Sequence, residues 1–287
     1  MPRVSVLMPV YNTRPEFLRE AMDSILSQSF RDFEFLILND GSTDGRVEEV
    51  VGAYDDSRIR YVGSERNFGI SGARNRLLDM AQGEYLAVMD HDDVSLPERL
   101  EKEVAFLESH PDVGLVGCQT TGVNGRGVSR FPLDDLALRK SLMFHCGDIC
   151  HPSCMMRRSV LEEHRLRYEA AFSPAEDHAL FCRMLPYTRF ANLPDVLFCY
   201  RSWEGNTSHR QAMNMEAAKY GVLEFARQSN PELWAMAQTH VWRIYRYRLL
   251  GLPVLSKMVS RRETRWLLFN AIPVWRVKES LPRLCGL

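Results

Sequence analysis

Three carboxylates follow an apolar run within four positions. The segment 84–100 reads EYLAVMDHDDVSLPERL, in which Asp90, Asp92 and Asp93 come directly after YLAVM. Like charges at this spacing repel one another, so the loop is either solvated or holds a positive group. Hard divalent cations such as Mg²⁺ and Mn²⁺ prefer carboxylate oxygens as ligands. The segment therefore predicts either a metal site at a strand end or an acidic turn that caps the helix beginning near Pro97.

A second acidic pair lies in the segment 172–185, FSPAEDHALFCRML, where Glu176 and Asp177 precede residues with helical spacing. Two acids at this place complement the positive end of a helix dipole. A carboxylate there can also serve as a general base that removes a proton from a hydroxyl. The pair by itself leaves both interpretations open.

Strand-like and helical patterns alternate through the first 118 residues. The predicted strands are 4–10, 33–38, 58–62, 85–89 and 113–118, and the predicted helices are 16–28, 44–54, 72–81 and 97–109. Because these strands are apolar on both faces, the pattern predicts an α/β fold with a mostly parallel sheet flanked by helices. Ligands of such sheets bind beyond the carboxyl ends of the strands.

Polar residues follow each of the first four predicted strands. The segments are PVYN after the first, NDGSTD after the second, ERNFG after the third and DHDD after the fourth. In a parallel sheet these segments gather along one edge. Neither GxGxxG after the first strand nor a GxxxxGK[ST] loop occurs, which disfavours a dehydrogenase or a P-loop enzyme.

Composition excludes several classes of protein. The chain has 287 residues, 45% of them hydrophobic, and a formal net charge of −1, so charge gives no reason to expect a nucleic-acid partner. Seven cysteines without a signal peptide indicate a reducing cytoplasm, and no apolar run is long enough to span a membrane. The cluster of His and Cys between His145 and Cys154 lacks a CxxC pair, and Pro152 interrupts it, which favours free thiols over zinc.

The end of the chain is basic and rich in tryptophan. From Trp242 onward there are ten arginines and lysines against two glutamates, and Trp266 and Trp275 lie among them. This composition is typical of an amphipathic element on an anionic membrane surface. It is equally typical of a basic helical appendage packed on a domain, with its arginines in water.

The ordered motifs MPVYN, LNDGSTD, RNFGISGARN and DHDD resemble those of family 2 glycosyltransferases, which have a GT-A-type fold. The resemblance implies a GT-A-type domain over 1–212, with a Rossmann-like nucleotide-sugar-binding half (1–118) and an acceptor half (119–212). A helical, basic C-terminal extension would follow at 213–287. The resemblance also implies a nucleotide-diphosphate sugar donor, a Mn²⁺ or Mg²⁺ ion, and inversion at the anomeric carbon. The nucleotide is UDP by family habit, with dTDP and GDP as alternatives.

Roles transfer by this resemblance to matching positions. Asp93 matches a metal ligand, and His209 matches a late ligand of the same metal. Asp177 matches the catalytic base, while Glu176 and His151 match positions beside the acceptor. The residues that match donor contacts are Pro9, Val10, Tyr11, Asp40, Arg66, Arg74 and Asp92, the last of which faces either the ribose or the metal.

Several of these assignments keep an alternative. Asp40 accepts a hydrogen bond from the base or ribose, or it caps the next helix. Tyr11 stacks on the base or is a core aromatic. Of Arg66 and Arg74, one contacts the donor and the other pairs with an acid. By the same resemblance, Arg201 and Trp203 close over the donor.

Three functional hypotheses follow. The first is a metal-dependent inverting glycosyltransferase that adds a single sugar to a cell-surface glycan or a lipid-linked acceptor, since the QxxRW element of processive synthases is absent. It would be cytoplasmic, with the basic extension holding it peripherally at the inner membrane face. The second is a nucleotidyltransferase, which is disfavoured because no basic, Gly-rich loop lies near the amino terminus. The third is a non-catalytic sugar-nucleotide-binding or scaffold protein.

Overall fold

The computed structural model describes residues 1–144, 147–204, 206, 212–238, 243–249, 252–259, 263–268 and 272–278. The chain divides into two compact units, Met1–Ala226 and Arg227–Leu287. The first unit contains the acidic motifs of the sequence, and the second contains the basic segment that begins at Trp242.

The first unit alternates strands and helices as the sequence predicts. Its first elements are β1 (Val4–Val10), α1 (Pro15–Leu26), β2 (Phe33–Asn39), α2 (Arg46–Gly52), β3 (Ile59–Gly63), α3 (Gly69–Met80), β4 (Tyr85–Val88), β5 (Val94–Ser95), α4 (Arg99–Ser109) and β6 (Val113–Gly122). They are followed by α5 (Asp135–Leu142), β7 (Met155–Arg157), α6 (Arg158–Glu163), α7 (Glu176–Met184), β8 (Arg189–Tyr200) and α8 (Ala212–Ser229), of which the last three residues belong to the second unit. The predicted α/β fold class is confirmed.

One mixed sheet organises this unit, with the strand order β3-β2-β1-β4-β7-β6-β8-β5. Strands β3, β2, β1 and β4 run parallel to one another. The short strand β7 lies antiparallel between β4 and β6, and β6 pairs in parallel with β8. Strand β7 thus joins the two halves of the sheet beside β4, the strand that leads into the acidic loop.

The core forms where the apolar strands meet amphipathic helices. All seven residues of β1 are buried, in keeping with a central strand covered on both faces. Helix α1 begins at Pro15, where a missing N–H costs nothing, and buries Leu18, Ala21, Met22 and Ile25 at helical spacing. The strand ends are therefore held rigidly, and the loops beyond them can present side chains at fixed positions.

A buried ion pair secures the end of β4. Arg99 is fully buried and pairs with Glu103 at 3.2 Å. Its Nη2 also donates to the carbonyl oxygens of Val88, at 2.8 Å, and Cys154, at 3.2 Å. Burial raises the pKa of Glu103 to about 7, against the opposing effect of Arg99. The last residue of β4 is thereby fixed two positions before Asp90.

The second unit contains a helix and an antiparallel sheet. Helix α9 (Pro231–Gln238) is followed by strands β9 (Arg243–Leu249), β10 (Leu252–Val259), β11 (Glu263–Leu268) and β12 (Ile272–Lys278). They are ordered β12-β11-β10-β9, and each neighbouring pair is antiparallel. No helix among the described residues is both long and apolar enough to cross a membrane.

The predicted helical extension is therefore right for Ala212–Gln238 and wrong for 243–278. The physical reason lies in local composition. Segments such as RIYRYRL and IPVWRVK are rich in β-branched and aromatic residues, which favour extended backbone. Short breaks separate them at spacings that suit hairpins.

Candidate functional site

A cleft of about 1030 Å³ opens in the first unit, at the carboxyl ends of the parallel strands. Most of the residues singled out in the sequence meet there. Those that line the cleft are Pro9, Val10, Tyr11, Asp40, Arg74, Asp90, Asp92, His151, Glu176 and Asp177. Residues 100 or more positions apart in the chain thus share one cavity.

The wall of the cleft beyond β1 and β2 is held by hydrogen bonds between loops. Asp40 is buried, and its Oδ1 accepts a hydrogen bond from the Phe68 N–H at 3.0 Å. Its own N–H donates to the Val10 carbonyl at 2.8 Å. Asp40 therefore ties together the loops that follow the first three strands. Tyr11 stands at the rim of this wall with 44% of its surface exposed.

Gly41 makes this wall possible. Its φ is +72°, in the left-handed region, and a Cβ atom there would lie 2.7 Å from the backbone carbonyl carbon of Arg66. The loop after β2 consequently packs directly on the loop after β3. A side chain at this position would push the two loops apart.

Asp93 is the last residue of the acidic loop, Asp90–Asp93, and is 1% exposed. Its Oδ1 accepts a hydrogen bond from the Arg201 N–H at 2.7 Å, while Oδ2 is buried with no hydrogen-bond partner in the described part of the chain. Burial raises its pKa well above the usual range, and the nearby charges of Asp92 and Asp90 raise it further. A buried carboxylate with a bare oxygen among like charges is suited to a cation.

Asp92 is also held from the segment after β8. Its Oδ2 accepts a hydrogen bond from the indole Nε1–H of Trp203 at 2.7 Å, and its carbonyl accepts one from Arg201 Nε at 2.6 Å. The sequence suggested that Arg201 and Trp203 cover the donor. In the structure both residues bond directly to the acidic loop.

The second acidic pair begins helix α7. Glu176 Oε1 accepts a hydrogen bond from Arg74 Nη1 at 2.6 Å, and Asp177 Oδ1 accepts one from the His178 N–H at 2.7 Å. Burial raises the pKa of both carboxyls, and the positive charge of Arg74 opposes the rise. Asp177 lines the cleft. It is therefore placed to accept a proton from a group bound there.

Arg74 connects the two acidic clusters. Besides Glu176, its guanidinium contacts Asp90 Oδ1, at 3.4 Å from Nη2. It also lies 5.5 Å from the centre of the Tyr168 ring. Of the two predicted arginines, Arg74 is the one that pairs with acids.

His151 lies beside this group and is buried. Its Nε2 is 2.8 Å from the Tyr168 hydroxyl. Burial, assisted by the charge of Arg74, lowers the pKa of His151 well below its usual value, so the ring is neutral at pH 7. A neutral imidazole has both a hydrogen-bond donor and an acceptor, and suits an uncharged ligand better than an anion.

Among the predicted residues with a described position, Arg66 and Asp93 do not line the cleft, although Asp93 directly follows Asp92, which does. The Arg66 guanidinium lies 4.5 Å from the centre of the Phe68 ring instead. His209, the predicted late metal ligand, lies outside the described residues, as do His145 and Cys146. The roles of Arg66 and His209 remain predictions.

The cleft also contains residues that sequence reasoning missed. Thr120 and Thr121 at the end of β6, Ser129 and Phe131 beyond it, and Lys219 of α8 line the cavity. The sequence signal that could have found Thr120 and Thr121 is the polar segment QTT (119–121), which directly follows the apolar run VGLVGC. The predicted strand ended at residue 118, whereas β6 continues to Gly122.

Protein groups alone form an incomplete metal shell. Among the described residues, no set of three His, Cys, Asp or Glu side chains converges as ligands. The bare Oδ2 of Asp93 and the neighbouring Asp92 nevertheless supply hard oxygen atoms. A cation held here would need further ligands from a bound molecule.

Comparison with known proteins agrees with this geometry. Residues 5–165 match the family model described as glycosyl transferase family 2. An uncharacterised glycosyltransferase of Methanocaldococcus jannaschii is 30% identical over 70% of this chain and 71% of its own. The amylovoran biosynthesis glycosyltransferase AmsE of Erwinia amylovora is 28% identical over 73% of this chain and 80% of its own.

Solved structures share the fold. The crystal structure of S. aureus TarS 1–349 in complex with UDP-GlcNAc has a TM-score of 0.61 at 22% identity, covering 83% of this chain and 80% of the TarS 1–349 chain. The mannosyltransferase PcManGT from Pyrobaculum calidifontis, in complex with GDP-Man and Mn²⁺, has a TM-score of 0.56 at 20% identity, covering 82% of this chain and 73% of PcManGT. At these identities the likeness is one of fold.

Replacing Gly41 by alanine tests the packing of the two loops. We expect G41A to lower the free energy of unfolding by about 1–3 kcal/mol, because the new Cβ meets backbone and the left-handed conformation is strained. Gly45 is the matched control, since a Cβ there has open space and its φ is −73°. Urea denaturation of G41A and G45A measures both. Equal stability of the two variants would contradict the packing.

Proposed function

The chain belongs to glycosyl transferase family 2, and we propose that it is a metal-dependent, inverting enzyme. It would transfer one sugar from a UDP-sugar to a hydroxyl of a cell-surface glycan or a lipid-linked glycan. The proposal includes a GT-A-type domain over 1–212, divided into a donor half (1–118) and an acceptor half (119–212).

The charge balance of the cleft carries the proposal. A nucleotide diphosphate brings negative charge to a cavity lined by Asp40, Asp90, Asp92, Glu176 and Asp177. The arginine beside them, Arg74, is already paired with Glu176 and Asp90. Besides Arg74, the described lining contains one lysine, Lys219. A divalent cation on Asp93 and Asp92 would add positive charge among the carboxylates and stabilise the charge that develops on the leaving diphosphate. The bare Oδ2 of Asp93 is the observation that supports this most directly.

The wall of the cleft beyond β1 and β2 would bind the nucleoside. Asp40, fixed by the Phe68 N–H, would accept a hydrogen bond from the base or ribose. Pro9, Val10 and Tyr11 would form the side of this pocket. The ligands named for TarS and PcManGT, UDP-GlcNAc and GDP-Man with Mn²⁺, support a nucleotide-sugar donor. UDP is proposed as the nucleotide of this chain.

Asp177 would be the catalytic base. It would take the proton of the acceptor hydroxyl as the hydroxyl oxygen attacks the anomeric carbon. The bond from that carbon to the diphosphate oxygen breaks, and its electron pair leaves with the nucleotide. Attack opposite the leaving group inverts the configuration. Glu176, held by Arg74, would keep the first turn of α7 in place, and His151 lies close enough to offer a neutral contact to a sugar.

The part of the cleft at the end of β6 would bind the acceptor. The acceptor side offers the hydroxyls of Thr120, Thr121 and Ser129 together with the ring of Phe131, a mixture that suits a carbohydrate. Relatives that act in polysaccharide biosynthesis, AmsE among them, support a glycan of the cell envelope. The basic second unit would bring the enzyme to the anionic inner face of the membrane, from the cytoplasmic side.

Calorimetric titration of UDP tests the donor site. We expect Mn²⁺ to strengthen UDP binding by at least about tenfold in the wild type, and D93N to lose most of that gain because it removes a ligand charge. D195N is the control, since Asp195 is partly exposed and pairs with Lys102 away from the cleft. Equal UDP affinity with and without Mn²⁺ would contradict the metal role. Failure to bind any nucleoside diphosphate would favour the non-catalytic scaffold alternative.

The Asp177 variant tests the base. Release of UDP from UDP-sugars in the presence of glycan acceptors should fall about 10²–10⁴-fold in D177N, while UDP affinity stays within about twofold. A base acts when deprotonated, so the rate should rise with pH. Because burial raises the pKa of Asp177, the midpoint of that rise should lie above the ordinary value of about 3.9 for aspartate. A D177N enzyme with nearly full rate would exclude this base.

Vesicle sedimentation tests membrane contact. Wild-type protein should sediment with phosphatidylglycerol vesicles and remain free with phosphatidylcholine vesicles, because the attraction is electrostatic. Arg265 and Arg276 occupy paired positions on β11 and β12, and reversing both to glutamate should weaken binding. The same reversal at the exposed Arg19 and Arg31 of the first unit is the control. Binding that responds equally to both pairs would exclude a specific role for the second unit.

A further inference from the structure

We propose that Trp203 is a positioning residue that orients the Asp92 carboxylate for cation binding. The inference rests on the metal-dependent function proposed above. It concerns the segment after β8, which crosses the acidic loop. Three atoms of this segment bond to the loop, and Trp203 supplies the side-chain bond that fixes a carboxylate of the cleft lining.

The contacts between the two segments are short. Trp203 Nε1–H donates to Asp92 Oδ2 at 2.7 Å, and the Arg201 N–H donates to Asp93 Oδ1 at 2.7 Å. Arg201 Nε also donates to the Asp92 carbonyl at 2.6 Å. Donors from the segment 201–203 thus hold one oxygen of the Asp92 carboxylate and one oxygen of the Asp93 carboxylate. The free oxygen of each carboxylate then has a fixed direction.

This division of oxygens is what a cation site requires. A carboxylate with both oxygens free can rotate, and fixing it on metal binding costs conformational entropy, which lowers the metal affinity. With one oxygen held by a neutral N–H donor, the other is directed in advance and keeps its charge. The bare, buried Oδ2 of Asp93 matches this pattern. Asp92 lies on the cleft surface, where its second oxygen can reach a cation or the metal's water.

Trp203 is itself clamped, so the N–H has a defined place. Its ring meets Phe17 of α1 edge-on, with centroids 5.3 Å apart at 75°. The Arg14 guanidinium lies 4.8 Å above the ring. The Trp203 backbone N–H donates to Asn206 Oδ1 at 2.9 Å. The ring contacts depend on an aromatic surface, whereas the bond to Asp92 depends on the indole nitrogen.

Because the two kinds of contact are separable, the role can be distinguished from plain packing. Phenylalanine at position 203 keeps an aromatic ring against Phe17 and Arg14 but has no N–H. If Trp203 only packed the segment, the W203F change would alter thermal stability slightly and leave metal binding as it is. If it orients Asp92, metal affinity falls while metal-free nucleotide affinity does not.

The experiment is calorimetric titration of Mn²⁺ into the full-length protein saturated with UDP. W203F should bind Mn²⁺ about 10–100-fold more weakly than the wild type, which is the usual effect of losing a group that orients a metal ligand. UDP affinity without metal should stay within about twofold. W234F is the matched control, because Trp234 lies in helix α9 and does not line the cleft. It should bind Mn²⁺ as the wild type does.

A second variant covers the case in which W203F does not fold. F17L removes the ring that Trp203 packs against and leaves the indole N–H in the chain. It should weaken Mn²⁺ binding in the same direction by a smaller factor. Unchanged Mn²⁺ affinity in W203F, or in F17L where W203F fails to fold, would overturn the role of Trp203 and leave the metal-dependent function standing. A wild type that binds no Mn²⁺ in the presence of UDP would overturn both.

Discussion

The buried guanidinium of Arg74 is the interaction on which the rest of the cleft depends. It lies between Asp90, which follows β4, and Glu176, which begins α7, and it is paired with both. A buried cation is tolerated only with partners, and removing one partner would leave a buried charge uncompensated. Arg74 therefore holds the acidic loop after β4 and the start of α7 at a fixed separation. Asp92 and Asp93 form no salt bridge in the described part of the chain: their carboxylates accept hydrogen bonds from the indole and backbone donors after β8, and the nearby Arg201 guanidinium pairs with Glu20.

Much of this could be predicted from local sequence, because local sequence determines local structure. The strands β1 to β4 and the helices between them follow from apolar runs and helical spacing, and their carboxyl ends then place DHDD and the NDG loop at one edge. Helix α7 and its two leading acids were recognisable for the same reason. The exception was 243–278, where alternating aromatic and basic residues were interpreted as helical and instead form β9 to β12.

The partners of the site residues could not be predicted. Arg74 and Glu176 are 102 positions apart, and Asp92 and Trp203 are 111 apart. Nothing in either segment specifies its partner, since an arginine or an indole N–H can bond to any exposed acceptor. Only the sheet order, with β7 inserted between β4 and β6 and β8 beside β6, brings these segments together. The same holds for His151, whose neutral state depends on burial beside Arg74 and Tyr168 and not on its neighbours in the chain.

The incomplete protein shell has a consequence for how the proposed ligands would bind. No three protein side chains converge as metal ligands among the described residues, so a cation on Asp93 and Asp92 would take its other ligands from the diphosphate or from water. A diphosphate, in turn, enters a cleft whose arginine is already paired. The diphosphate thus supplies ligands that the cation lacks, and the cation offsets the negative charge that opposes the diphosphate. By thermodynamic linkage, nucleotide must strengthen metal binding by the same factor as metal strengthens nucleotide binding. The oriented carboxylates beneath Trp203 and Arg201 would raise the metal affinity itself, because the protein side of the shell is set before either ligand arrives.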